Sequence, residues 1–341
     1  SNLFFNTVEI ISRNKKKINK KFIKLKDIRS LEKKEFKEVS RQIKEITIPR
    51  KKIASIKFDN PKIMGILNVT PDSFSDGGKF NTNKKAWKKI NEMKNSGADI
   101  IDIGGESTRP GSKIISPKIE WERVKGIIKK FKKNFPKILL SIDTRKSLVM
   151  KNSIKYNVDI INDVSCSKFD VKSSEIIKNK NLWKVIHHMQ GTPQTMQINP
   201  KYHNVLLDIY DFFEKEITKM KNNKYPKIIL DPGIGFGKNL KHNLIILSKI
   251  SIFHSLGFPI LIGTSRKRFI SQISKNFDSK ERLGGTLSSI LFSLAQGIQI
   301  FRVHNVREIK QGILVFQNLL NKWKKSTLAP MELEALLIPV I

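Results

Sequence analysis

The chain has 341 residues, of which 39% are hydrophobic, and it carries a formal net charge of +35. This length fits two average domains or one α/β barrel of about 250 residues. No apolar run approaches the roughly 18 residues that a membrane span needs, no signal-peptide pattern is found, and the lone cysteine, Cys166, excludes an internal disulfide, so we expect a cytoplasmic protein without a membrane partner.

The positive charge comes mainly from lysine, which is scattered along most of the predicted surface helices. A basic chain can bind nucleic acid through a stripe of charge. Here no row of aromatic residues alternates with the lysines. The pattern therefore favours a general lysine bias, and nucleic acid is not an expected partner.

Residues 1–60 form a lysine-rich N-terminal extension that contains no glycine. Its pattern predicts one helix over residues 31–45, and short strands near residues 46–48 and 53–58. Two roles stay open for the extension. It either covers the closed bottom of the fold that follows or is flexible.

From residue 61 to residue 325, short β-branched segments alternate with longer helical stretches. The predicted strands are residues 63–69, 99–103, 138–143, 159–164, 183–188, 227–231, 259–264 and 298–303. The predicted helices include residues 84–96, 118–134, 205–221, 240–255, 281–296 and 306–324. Eight strand–helix units predict an α/β fold whose parallel sheet closes into a (β/α)8 TIM barrel.

An open, doubly wound sheet is the alternative fold. It calls for a glycine-rich turn after the first strand, where this chain has NVTPDS. Residues 326–341 lose the basic character of the rest, and the sequence assigns this C-terminal tail no role.

Polar residues end or follow each predicted strand. In strand order they are Asn68; Asp102; Asp143; Asn162 and Asp163; His187, His188 and Gln190; Asp231; Ser265, Arg266 and Lys267; and Arg302 and His304. One such residue alone is usually a turn or capping residue. Several of these interrupt apolar strands, however, where a polar group without a partner is unfavourable. Because the carboxyl ends of all barrel strands lie at the same end of the barrel, which is called its mouth, the set predicts a ligand site there.

The polar residues fall into two chemical groups. The first mixes donors and acceptors that suit a flat heterocycle, and consists of Asp102, Asp143, Asn162, Asp231 and Lys267. The second suits a phosphate-bearing group and a hard cation such as Mg2+, and consists of Asn68, Arg109, Arg302 and His304. No spacing predicts a protein nucleophile. The residues therefore indicate one heterocycle and one phosphorylated leaving group.

Eight segments resemble, in order, the signature blocks of the dihydropteroate synthase family. They are ILNVTPDSFSDGG, DIIDIGGESTRPGS, LLSIDTRKS, DIINDVS, HMQGTPQTMQ, ILDPGIGFGK, GTSRK and FRVHNV. The resemblance covers residues 61–325 and implies a pterin-binding TIM barrel, commonly a homodimer. The implied activity is that of a transferase of folate biosynthesis, which joins 6-hydroxymethyl-7,8-dihydropterin pyrophosphate to 4-aminobenzoate by a dissociative route.

The resemblance also implies roles for individual residues. The pterin site falls on Asp102, Asp143, Asn162, Met189, Asp231 and Lys267. The pyrophosphate site falls on Asn68, Arg109, Arg302 and His304, with Asn68 as the ligand of Mg2+. The aminobenzoate site falls on Phe74, Thr108, Pro110, Phe236, Ser265 and the stem of Lys267. The implied catalytic residues are Asn68, Arg109, Lys267, Arg302 and His304, and loops 70–82 and 107–117 are expected to close over the mouth.

Some positions depart from the family pattern. Cys166 stands where glycine is frequent, His187 where a hydrophobic residue is common, and Thr264 and Arg268 flank the SRK block unusually. Because neighbouring side chains of a strand point to opposite faces, His187 and His188 cannot both bind one metal ion.

The GIGFGK segment, residues 233–238, is similar to a phosphate-binding loop but lacks its spacing, and Asn239 replaces the required Ser or Thr. We expect a tight turn that brings Phe236 to the site.

Two other functions stay open. A related barrel that moves a methyl group from a folate to a corrinoid would not need the TRPG and SRK blocks. A non-catalytic basic binding protein would leave the residues of the mouth unexplained.

Overall fold

The computed structural model describes residues 5–14, 17–70, 79–107, 112–178, 180–222, 227–275 and 278–325; the side chains of residues 79–82 and 323–325 are not described. The strands are β1 Thr7–Asn14, β2 Lys17–Lys24, β3 Lys62–Asn68, β4 Ile100–Gly104, β5 Leu139–Asp143, β6 Ile160–Asp163, β7 Trp183–His187, β8 Ile228–Asp231, β9 Leu261–Ile262 and β10 Ile300–Val303. The α-helices are α1 Lys33–Thr47, α2 Lys79–Asn95, α3 Pro117–Asn134, α4 Ser147–Ile154, α5 Lys172–Ile177, α6 Val205–Asn222, α7 Leu240–Ser248, α8 Arg268–Ser274, α9 Leu283–Ala295 and α10 Val306–Lys325.

Strands β3 to β10 form one parallel sheet in the order β8-β7-β6-β5-β4-β3-β10-β9. A parallel bridge between Leu230 and Ile260 joins its two edges, and the amide of Leu230 donates to the carbonyl of Pro259 at 2.9 Å. The predicted TIM barrel is therefore confirmed. Among the described residues, no helix is both long and apolar enough to cross a membrane.

The predicted barrel strands and helices are present, with differences at their ends. The seventh strand is shorter than predicted, since β9 is Leu261–Ile262 and Ile260 before it forms one isolated bridge. The helix predicted over residues 240–255 divides into α7 and a 3-10 helix, Ile250–Leu256. Gly257 ends that 3-10 helix with a φ of 84°, a left-handed conformation that glycine adopts readily.

In the N-terminal extension the predicted helix is confirmed as α1, but the two predicted strands are wrong. Residues 46 and 47 complete α1, and Ile53 and Ile56 form one isolated antiparallel bridge. The sequence analysis also missed the antiparallel hairpin of β1 and β2. Its β2 strand, KINKKFIK, is mostly exposed and shows no clean alternation, so the sequence carries little strand signal.

The inner side chains of the barrel change character from one end to the other. We call the apolar end the barrel floor, formed by Ile53, Met64, Ile100, Leu139, Ile160, Trp183, Val185, Ile229, Leu261 and Ile300. Ile53, which comes from the N-terminal extension, is fully buried there. The extension therefore reaches under the barrel and packs against its floor.

A second contact fixes the extension to the outside of the barrel. Ile11 of β1 belongs to the main hydrophobic core, and Arg13 pairs with Asp208 of α6 at 2.6 Å and also with Asp211. Arg50 donates to the carbonyl of His254 at 2.8 Å. These contacts make the extension part of the packed molecule.

Candidate active site

The opposite end of the barrel, which we call the barrel mouth, brings together inward-facing polar residues from several strands: Asn68, Asp102, Asp143, Asn162, His187, Asp231, Ser265, Arg302 and His304. Each strand points alternate side chains inward, and these are the positions above the floor. The register supports this, because Asp143 pairs with Asn162, and His187 with Asp231, across neighbouring strands.

Arg302 of β10 joins two carboxylates at the centre of the mouth. Its Nε donates to Asp102 Oδ2 at 2.7 Å and its Nη2 to Asp143 Oδ2 at 2.6 Å. Asn162 Nδ2 also donates to Asp102 Oδ2 at 3.0 Å. Four residues from four strands therefore form one hydrogen-bonded group.

Burial and charge oppose each other within this group. Burial raises the pKa of Asp143 to about 7, although the Arg302 guanidinium acts in the other direction. For Arg302, burial disfavours the charge, but the carboxylates of Asp102 and Asp143 hold its pKa above the ordinary value. Arg302 therefore stays a cation while the proton on Asp143 is easily gained or lost.

Some buried polar atoms of the mouth have no hydrogen-bond partner among the described residues. They are Asp102 Oδ1, Ser141 Oγ, Asn162 Oδ1 and His187 Nδ1. An unmade hydrogen bond of a buried group costs about 1–3 kcal/mol. Because several such atoms lie close together, they indicate a site where a polar ligand supplies the missing hydrogen bonds.

Asp231 lies at the end of β8 and is 5% exposed. Its Oδ1 accepts a hydrogen bond of 2.8 Å from the amide of Gly233, and burial raises its pKa to about 6. The carboxylate is consequently ionised at neutral pH, with Oδ2 facing His187 Nε2 at 3.9 Å. It can accept a pair of N–H donors from a ligand.

The loop after Asp231 is a tight turn, as the sequence analysis expected. Gly233 has a φ of 68°, and a Cβ there would lie 2.0 Å from the carbonyl oxygen of His188. Lys238 is buried and donates to the carbonyl of Phe236 at 2.9 Å and contacts His188 Nδ1 at 3.0 Å. These contacts hold Phe236 against the mouth, and the lysine is used within the protein instead of on a phosphate.

Side chains that follow β8, β9 and β10 meet on the other side of the mouth. Lys267 Nζ lies 4.0 Å from the centre of the Phe236 ring, a cation–π contact. Ser265 Oγ and His304 Nδ1 are 3.0 Å apart, and Ser265 Oγ also accepts from the amide of His304 at 3.2 Å. Phe236, Ser265 and Lys267, which the resemblance assigns to one site, are therefore in one region.

Two further predicted site residues border this region. Met189 packs against the small cluster of Val164, Met196 and Phe236, and Asn68 is half-buried at the end of β3. Phe74, Thr108, Arg109 and Pro110 lie outside the described residues, as does most of loop 70–82.

The two adjacent histidines have separate surroundings, as expected for neighbours on a strand. His187 faces the barrel interior next to Phe236, whereas His188 contacts Phe212 of α6 and Tyr202. Cys166, where the family often has glycine, has a φ of 51°. That left-handed conformation explains the preference for glycine.

Sequence reasoning missed a buried ion network beside the mouth. Glu106 accepts from Arg145 Nε at 2.9 Å, from Lys146 Nζ at 2.8 Å and from the amide of Ile115 at 3.0 Å. Lys146 Nζ also lies 2.8 Å from Glu120. The network ties both ends of loop 107–117 to the end of β5. The adjacent cations Arg145 and Lys146 directly after a buried strand were the signal that could have revealed it.

The arrangement can be compared with known proteins. The model of the pterin-binding enzyme family matches residues 64–304. The dihydropteroate synthase of Escherichia coli (strain K12) is 40% identical over 269 residues, which cover 78% of this chain and 94% of that protein.

Solved structures give the same result. Dihydropteroate synthase from Clostridium difficile, crystallised in the presence of pteroic acid, superposes with a TM-score of 0.71 and 38% identity over 76% of this chain and 97% of that one. The enzyme from Xanthomonas albilineans with 4-aminobenzoic acid superposes with a TM-score of 0.74 and 32% identity over 80% of this chain and 99% of that one.

Proposed function

This chain belongs to the pterin-binding enzymes and, among them, to the dihydropteroate synthases, and we propose that the mouth of its barrel performs their reaction. The reaction joins 6-hydroxymethyl-7,8-dihydropterin pyrophosphate to 4-aminobenzoate and releases 7,8-dihydropteroate and pyrophosphate. The observation that carries this assignment to the mouth is its buried polar set with unpaired atoms, which suits a flat ligand with several N–H and C=O groups.

The pterin is held deep in the barrel by Asp102, Asp143, Asn162, Met189, Asp231 and Lys267. Asp231, ionised at neutral pH, accepts the paired N–H donors of the 2-amino-pyrimidinone edge. The open Oδ1 atoms of Asp102 and Asn162 take further donors of the ring. The pterin therefore supplies hydrogen-bond partners to buried atoms that have none among the described residues.

The pyrophosphate is held by Asn68, Arg109, Arg302 and His304. Arg302 remains charged at every physiological pH because two carboxylates face it. As the bond between the pterin methylene and the pyrophosphate oxygen breaks, cationic donors stabilise the charge that develops on the leaving group. Arg302 thus connects the pterin carboxylates with the departing group.

The donor set fits Mg2+ bound together with its substrate. Within the described part of the chain, no three His, Cys, Asp or Glu side chains cluster as a metal site. Mg2+ is often held by one or two protein oxygens together with substrate phosphates, and the half-buried Asn68 offers an amide oxygen. When bound, Mg2+ would neutralise part of the pyrophosphate charge.

The second substrate enters after the leaving group has begun to depart. Phe74, Thr108, Pro110, Phe236, Ser265 and the stem of Lys267 hold 4-aminobenzoate, whose nitrogen forms a bond to the electron-poor methylene and then loses its proton. Because the aniline attacks a cation-like carbon, a strong general base is not required. Loops 70–82 and 107–117 exclude water that would otherwise capture the methylene.

We also propose a cytoplasmic homodimer. Neighbouring helices α9 and α10 expose large apolar side chains, with Phe292 47% and Leu319 65% exposed, and apolar surface of this kind favours a partner. Leu319→Glu should shift the sedimentation coefficient from dimer to monomer. A wild-type protein that sediments as a monomer at micromolar concentration would contradict the dimer.

The test of the activity is pyrophosphate release by the purified chain. Release should require both the pterin pyrophosphate and 4-aminobenzoate, and the coupled product should be dihydropteroate. Release that does not depend on 4-aminobenzoate, or no release with both substrates and Mg2+, would contradict the proposed function.

A further inference from the structure

His187 is the inward-facing residue at the end of β7, and its side chain is 3% exposed. The inward residues below it on the same strand, Trp183 and Val185, belong to the apolar floor. A polar imidazole at this position therefore interrupts an apolar series, in a place where burial needs a reason.

The imidazole lies between groups assigned to the two substrates. Its Nε2 is 3.9 Å from Asp231 Oδ2, on the pterin side. Its ring meets Phe236 edge-on, with centroids 4.6 Å apart and planes at 86°, on the aminobenzoate side. Lys267 Nζ in turn lies 4.0 Å from the centre of the Phe236 ring.

His187 keeps free hydrogen-bonding capacity in this position. Its Nδ1 has no hydrogen-bond partner among the described residues. Burial and the charges of Lys238, Lys267 and Arg302 hold its pKa well below the ordinary value, against the effect of the Val164 backbone. The ring is consequently neutral, and Nδ1 is the ring nitrogen that it can offer to a ligand.

We infer that His187 is a further positioning residue for the pterin substrate, whose imidazole packs edge-on against the Phe236 ring beside the Asp231 carboxylate and offers Nδ1 to the bound pterin. This inference rests on the proposed function. It assigns to His187 a polar role that a hydrophobic residue of the same size cannot fill.

Three variants separate polar positioning from packing. His187→Leu removes both nitrogens at similar volume, His187→Gln keeps an amide near the position of Nε2, and His187→Asn keeps one near Nδ1. The control is His203→Leu, because His203 is exposed and does not belong to the polar set of the mouth. The measurements are kcat, the KM of each substrate, the Kd of the pterin pyrophosphate with Mg2+, and thermal unfolding.

His187→Leu should raise the Kd and KM for the pterin pyrophosphate about 3- to 10-fold, the loss of roughly one hydrogen bond, with a smaller change in kcat and no loss of thermal stability. One of the two amide variants should restore most of the binding. Wild-type binding by His187→Leu, or equal weakening by all three variants, would overturn the inference. A wild-type protein that binds no pterin would instead overturn the proposed function, and this inference with it.

Discussion

The floor and the mouth of the barrel are made by alternate side chains of the same strands, yet they differ in almost every physical property. The floor is apolar and closed from below by Ile53. The mouth contains Asp102, Asp143 and Asp231, and Arg302 donates hydrogen bonds to the first two of these carboxylates. The lesson is that strand periodicity sets which side chains point inward, whereas their chemistry decides whether that end stabilises the protein or binds a ligand.

The difference has an energetic side. Burial of a floor side chain stabilises the fold by about 1.5–3 kcal/mol. In the mouth, polar atoms without a partner among the described residues, and carboxylates with raised pKa values, reduce stability in the absence of ligand. Variants of the two ends should therefore have opposite profiles, with stability lost at the floor and activity lost at the mouth.

The largest effect is expected for Arg302→Ala in the mouth. Turnover should fall roughly 10²- to 10³-fold, the usual loss when a donor to developing charge is removed. Binding of 6-hydroxymethyl-7,8-dihydropterin, which lacks the pyrophosphate, should fall much less. Single-turnover rates and Kd values measure the two losses, and Arg307→Ala on the exposed side of α10 is the control. Equal losses in rate and binding would contradict the role given to Arg302.

At the floor, Ile53→Ala should lower the free energy of unfolding by about 2–4 kcal/mol, because a cavity replaces a fully buried side chain. Below the new melting temperature, kcat should be unchanged. Denaturant unfolding checks the first value and steady-state kinetics the second. The matched control is Ile48→Ala, since Ile48 is 44% exposed; similar losses for both variants would show that Ile53 does not close the floor.

Asp231→Asn should make the protein more stable in a manner that depends on pH. Burial raises the pKa of Asp231 to about 6 from an ordinary 3.8, so between these values the folded state binds more protons than the unfolded state. Stability from this group is therefore present at acid pH and falls as pH rises. The groups facing it, Lys267, Arg302 and Lys238, oppose the shift.

The asparagine avoids that cost and keeps an oxygen for the amide of Gly233. Its advantage over the wild type should grow from near zero at pH 4 to roughly 2–3 kcal/mol at pH 8, measured by denaturant unfolding without ligand. Because Asp143 is present in both proteins, its titration cancels in the difference. An advantage that is flat with pH would contradict the raised pKa.

The smallest effect is expected outside both ends, for Arg13→Ala. Arg13 and Asp208 are each 24% exposed, and partly exposed ion pairs contribute about 1 kcal/mol or less. Hydrogen exchange should increase in β1 and β2 while kcat stays constant. A large loss of activity would show that the N-terminal hairpin affects the mouth. The hairpin would then contribute to substrate binding as well as to stability.

The barrel could be predicted because each strand is a short β-branched run with a polar residue at its end. Convergence of Asp143, Asn162 and Asp231 followed from the topology, since parallel strands end on one side. The hairpin of β1 and β2 could not be predicted, because its outer strand is exposed and its apolar residues do not alternate.

The hydrogen-bond partners within the mouth could not be predicted from the sequence either. Nothing in the sequence order indicates that Arg302 bonds to both Asp102 and Asp143, which are 200 and 159 positions away. The partners in the ion network of Glu106 could not be predicted either, although the adjacent cations Arg145 and Lys146 were a signal of its existence. Pairing depends on distances across the barrel, whereas sequence patterns report only which face a residue occupies.

The central claim is that the buried polar residues of the mouth lower the stability of the protein and bind the pterin. The direct measurement is thermal unfolding of the wild type and Asp231→Asn at pH 8, with and without saturating pterin pyrophosphate and Mg2+. Ligand at 100 times its Kd should stabilise the wild type by about 2.7 kcal/mol. Without ligand, the variant should be more stable than the wild type. Because the variant should gain little from the ligand, the difference in stability should disappear or change sign when the ligand is added. If the ligand stabilises both proteins equally, or neither, the mouth is not the pterin site described here.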